Sequence, residues 1–173
     1  MEEFTNEVID TKQLPRYEEV LLTPLHPKYF KVVLINSLII ISILVVVLFL
    51  FIVFDDEVVS YEGKIRLGVT ALFLSICILF FSILSFKKKA YAFRNYDVIY
   101  RSGIISTNTM VIPYNRVQHV ALHEGFVSRI FGLAKVEIFT AGGSSSDLEI
   151  PGIEKEEAEN IKQLLMGKIQ KQL

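Results

Sequence analysis

Two stretches of the chain, Val32–Phe54 and Leu67–Phe86, run for 23 and 20 residues without a charged side chain. At the rise of an α-helix they would extend roughly 34 and 30 Å, which matches the hydrocarbon core of a bilayer. A helix in the core of a water-soluble protein keeps a polar stripe for its solvent side, and neither stretch has one. The pattern therefore predicts two membrane-spanning helices. Only the 12 residues Asp55–Arg66 connect them, so they form an antiparallel hairpin packed side by side.

Beyond Lys89 the pattern changes to short runs of β-branched and aromatic residues, broken by turn signals every eight to twelve positions. Strands are predicted at Tyr91–Arg94, Val98–Ser102, Met110–Pro113, Val117–Leu122, Ala134–Thr140 and Leu148–Ile150, with a short helical turn at Phe126–Phe131. The Arg94–Asp97 stretch predicts a hairpin, Gly103 and Thr107-Asn108 a bend, and the Gly142-Gly143-Ser144 run another turn. Behind the Pro151-Gly152 breaker, Ile153, Ala158, Ile161, Leu164, Leu165 and Ile169 recur at three- and four-residue steps, the period of a closing amphipathic helix. Its first turn is acidic (Glu154, Glu156, Glu157) and Lys168 and Lys171 sit near its end, in keeping with the helix dipole. The fold class is thus an α-helical transmembrane hairpin plus an α+β unit, an antiparallel roll or barrel whose open end the last helix covers. It divides into an N-terminal arm at 1–27, the hairpin at 28–89 and a C-terminal domain at 90–173.

The arm is acidic and interrupted by Pro15, Pro24 and Pro27, which reads as a flexible tail. Val20–Leu25 could instead pair with a sheet edge or lie on the bilayer surface. Some 30 polar and charged residues precede the first span, so it is not expected to be a cleaved signal segment. Lys28 and Lys31 before the first span, and Lys87, Lys88 and Lys89 after the second, predict that both termini face the cytoplasm of a bacterial inner membrane.

The spans hold no ionisable side chain besides the thiol of Cys77, the only cysteine, which disfavours a channel or pump and leaves no disulfide or thiolate cluster. His119 and His123 lie four apart beside Glu124 but lack further ligands, so no metal is expected. There is no nucleophile elbow and no phosphate-binding loop; Gly142–Ser146 reads as a hairpin turn. From Ala90 onward nine Lys and Arg balance nine Asp and Glu, which gives nucleic acid no basic patch to bind. Neither catalysis nor a cofactor is expected.

The run Ile112-Pro113-Tyr114-Asn115-Arg116-Val117-Gln118-His119-Val120, with Tyr91–Arg94, Ile104, Arg129–Leu133, Thr140–Gly142 and Ile150–Gly152, resembles the bacterial pleckstrin-homology-like (bPH2, YdbS-like) membrane protein family. That family places two membrane helices directly before the domain. The resemblance implies a membrane-bound interaction module whose partner is a protein, either a larger family member or another copy of the chain. The alternative is a sensor of anionic lipid or a small ligand. Candidate surface residues are Lys87, Lys88, Lys89, Arg94, Arg116 and Gln118. Strand alternation from Arg116 would put Arg116 and Gln118 on one face, and Val117, His119 and Ala121 on the other.

Overall fold

The computed structural model describes residues 19–54, 60–141 and 147–170. The apolar stretches form α1 (Tyr29–Phe54) and α2 (Tyr61–Lys88), 26 and 28 residues long. They are packed against each other. Only 6% and 0% of their most apolar windows are buried in protein, so neither is the core helix of a soluble domain. Outward-facing side chains such as Phe49 and Phe73, both more than 60% exposed, require a lipid solvent. α2 begins earlier than the charge pattern implied. Tyr61–Arg66, read as part of the loop, is its first turns, because Ser60 caps the helix by accepting the Gly63 N–H at 3.3 Å and Glu62 pairs with Arg66 one turn on. Charge moves a residue out of the bilayer without ending its helix.

The remaining chain folds into two antiparallel sheets. One has the order β1 (Thr23–Pro24), β2 (Ala90–Phe93), β3 (Asp97–Ser102), β4 (Asn108–Pro113); the other is β5 (Val117–His123), β6 (Leu133–Thr140), β7 (Leu148–Glu154). A 3-10 turn at Tyr114–Arg116 joins them, and α3 (Phe126–Ile130) lies between β5 and β6. Alternating apolar residues of both sheets meet in one core that includes Val98, Tyr100, Ile112, Val120, Val136, Ile138 and Ile150. The last helix, α4 (Lys155–Gln170), packs on the second sheet and fully buries Ala158 and Leu165 at the spacing its period requires.

Three details differ from simple strand alternation. The β5–β6 register slips between Val117 and His119, so Val117 and Val120 are buried while Gln118 and His119 are exposed. Arg116 sits in the 3-10 turn, not in the strand, and alternation does not relate it to Gln118. Pro151-Gly152 does not end β7, which continues to Glu154; the β6–β7 register shifts between Ala134 and Val136, and the irregularity accommodates the proline without a ladder partner.

Of the alternatives open for Val20–Leu25, the structure has the sheet-edge pairing. Thr23 and Pro24 register with Tyr91 and Ala90, Leu25 is 3% exposed in the core, and the His26 N–H donates to the Gly152 carbonyl at 3.0 Å. The hairpin is therefore inserted between the first two strands of the domain it anchors. Residues 1–18 of the arm and the Gly142–Ser146 turn lie outside the described residues.

Candidate functional site

The feature with the clearest chemistry forms where α2 meets the sheet. The helix ends at Lys88, Lys89 is already extended (φ −87°, ψ 129°), and β2 starts at Ala90. No linker intervenes. The β2–β3 register sets Arg101 opposite Ala90. The chain then turns through Gly103, whose φ of +112° is open to glycine and strained for other residues. A side chain there would also collide with the Ser106 carbonyl. Thr107 is thereby brought back beside the helix end, which closes a recess of about 250 Å³ lined by Lys87, Lys88, Ala90, Arg101, Gly103 and Thr107.

Lys87, Lys88 and Arg101 are exposed, and no ion pair joins any of them to a carboxylate among the described residues. Three exposed cations gathered at one helix end have the chemistry to hold a phosphate-bearing group, and each charge near an anionic surface would contribute about 1 kcal/mol. The lining carries no carboxylate, imidazole or thiol, so it can hold an anion but offers no general base.

The other sequence candidates lie elsewhere. Lys89 is half-buried on another side of the helix end, in a recess of about 340 Å³ with Tyr29, Val33, Phe81, Ser82, Ser85 and Phe86. Burial there lowers its ammonium pKa below the usual lysine range. Arg94 lies just past the end of β2, four residues from Ala90 and roughly 13 Å away at the rise of a strand. It is committed to Asp97: Nε donates to Oδ1 at 2.6 Å and Nη2 to Oδ2, which raises the guanidinium pKa further. Its carbonyl accepts the Tyr114 hydroxyl at 2.6 Å, so the group holds a hairpin together. Arg116 and Gln118 are exposed at the same far end, where the Arg116 carbonyl accepts the Ala141 N–H at 3.3 Å. Lys87 and Lys88 thus share a site with Arg101, which the sequence reading passed over, and not with Arg94, Arg116 or Gln118. The signal for Arg101 was present: a hairpin at Arg94–Asp97 fixes the register that brings it beside Ala90.

The histidines hold no metal cluster among the described residues. The His119 ring tilts against Phe139, with centroids 5.5 Å apart, and His123 registers with Lys135.

Comparison with known proteins agrees with this architecture. The family described as "Bacterial PH domain" matches residues 20–169, a range that takes in the edge strand before α1 and ends within α4. Over 121 residues the chain is 31% identical to the UPF0699 transmembrane protein YdbT of Bacillus subtilis (strain 168), which is 69% of this chain and 24% of that protein. Over 72 residues it is 33% identical to the UPF0699 transmembrane protein YdbS of the same organism, 42% of this chain and 43% of that protein. The matches therefore span about a quarter of one relative and less than half of the other. No solved structure matches. With its two apolar helices set between the first strands of the matched region, the chain belongs to the bacterial PH domain family as a membrane-associated member.

Proposed function

We propose that this chain is a membrane-anchored interaction module without catalytic activity. In this reading it holds its bacterial PH domain against the cytoplasmic face of a bacterial inner membrane and offers the free edge of β4 to a larger member of the same family. The observation that carries the reading is the junction of domain and anchor: α2 runs into β2 with no linker, and Tyr29 at the start of α1 lies on the backbone of Gly152. A domain coupled at both helix ends keeps one orientation to the membrane, as a scaffold must. The lysines at those ends support the cytoplasmic side. β4 ends its sheet and exposes Asn108 and Val111, which suits strand addition by a partner. The test is co-expression with a longer family member from the same genome and purification in detergent. The two should copurify. Val111→Lys should abolish copurification while shifting stability by no more than about 0.5 kcal/mol, as for most surface substitutions. Repeated recovery of the wild-type chain alone would count against the reading.

The basic recess favours a second reading, a sensor of anionic headgroups. Phosphatidylglycerol added to the detergent-solubilised chain should then raise its melting temperature more than phosphatidylcholine does. Combining Lys87→Gln, Lys88→Gln and Arg101→Gln should remove the difference, and an equal response of wild type to both lipids would exclude this reading.

A further inference from the structure

One face of the domain carries large apolar side chains that no other described residue covers. Phe126 and Ile130 are 84% and 67% exposed, one helical turn apart on the same side of α3, and Ile105 at the tip of the β3–β4 turn is 95% exposed. Both elements lie against the helices of the hairpin. α3 packs against α1. Gly132 just after it accepts the Lys155 N–H at 3.0 Å, next to the β7 segment on which Tyr29 rests. The β3–β4 turn flanks Lys87 and Lys88 at the end of α2. Exposed Arg129 and Arg101 accompany the two apolar tips. Apolar side chains with basic neighbours, continuous with a surface already solvated by lipid, form the pattern of a segment seated in the headgroup layer.

We infer that α3 and the β3–β4 turn are interfacial anchors, which insert Phe126, Ile130 and Ile105 among the phospholipid headgroups on either side of the hairpin and clamp the domain onto the bilayer. The occupant of this face is the membrane that holds α1 and α2, and the hairpin delivers the face to it without a further partner. The inference rests on the membrane-spanning role of the hairpin and is independent of any partner at β4.

The chain contains no tryptophan, so single tryptophans report one position at a time. The full chain is reconstituted into phosphatidylcholine–phosphatidylglycerol vesicles carrying Phe126→Trp, Ile105→Trp, Phe49→Trp within α1, or Tyr96→Trp. Tyr96 is 84% exposed in the far hairpin. All four replace exposed side chains and leave the core intact. The probes at 126 and 105 are expected to emit to the blue of the probe at 96 and to lose intensity with lipids brominated near the headgroup, while the probe at 96 is unaffected. Emission at 126 and 105 indistinguishable from that at 96 would overturn the inference. Blue-shifted but unquenched emission at 126 would do so too, because protein from a second copy would then cover α3. An unquenched probe at 49 would instead remove the spanning hairpin itself, and the anchors with it.

Discussion

Gly152 shows how much one residue carries. It has φ +70°, its carbonyl accepts the His26 N–H, and a Cβ placed on it would overlap the ring of Tyr29. Gly152→Ala therefore combines a left-handed backbone, unfavourable by about 1–2 kcal/mol for other residues, with an overpacked contact of about 1–3 kcal/mol. Thermal unfolding in detergent should show a clear loss of stability, and a neutral result would mean that the domain does not sit on α1 this way. Three tyrosines make a second test. Burial pushes Tyr91, Tyr100 and Tyr114 up to about 12; the negative charge of Glu157 and its bond from the Tyr91 hydroxyl add to the effect at Tyr91, and Asp97 adds to it at Tyr114. A raised folded-state value favours the folded state fully below the ordinary tyrosine value of 10.0 and loses that contribution as pH climbs toward 12. The melting temperature should accordingly fall between pH 10 and 12. Tyr114→Phe should remove its part of that fall and cost about 1 kcal/mol at neutral pH, through the lost bond to the Arg94 carbonyl.

The closing helix separates the contribution of its two faces. Leu165 is fully buried and its neighbour Leu164 is 48% exposed, although both belong to the same apolar period. Leu165→Ala should destabilise the chain by about 2–5 kcal/mol through the cavity it leaves. Leu164→Ala should change stability by no more than about 0.5 kcal/mol. Chemical denaturation of the two variants checks the contrast, and equal effects would mean that α4 is rotated on the sheet. The helix is further tied at its first turn, where Glu157 accepts from Tyr91, and near its end, where the Lys168 ammonium donates to the Asn95 carbonyl at 3.2 Å.

Among the described residues the hairpin interrupts the domain it anchors. Pro24 and Ala90 are register partners in adjacent strands, so the hairpin leaves and returns at positions about 5 Å apart. Replacing it by a short glycine linker between residue 27 and Lys89 should leave the domain folded without a membrane. A fragment starting at Ala90 lacks β1 and the buried Leu25, and should be less stable by at least the 2–5 kcal/mol or so of one lost core side chain. Urea unfolding of the two soluble forms decides, and equal midpoints would show that the edge strand contributes nothing.

The spans, the order of strands and the closing helix were readable along the chain because each is a local pattern: a run long enough to cross lipid, an alternation of period two, a stripe near period 3.6. The bulge after Val117, the continuation of β7 through Pro151 and the true start of α2 escaped because pairing and capping override that periodicity. Partnership between distant segments left no such mark. Thr23-Pro24 meets β2 across the whole hairpin, and Arg101 joins Lys87 and Lys88 while Lys89 is drawn to another side. Those placements follow from register and the direction in which a helix end meets a strand, and a one-dimensional period encodes which face a residue occupies but not what lies against it.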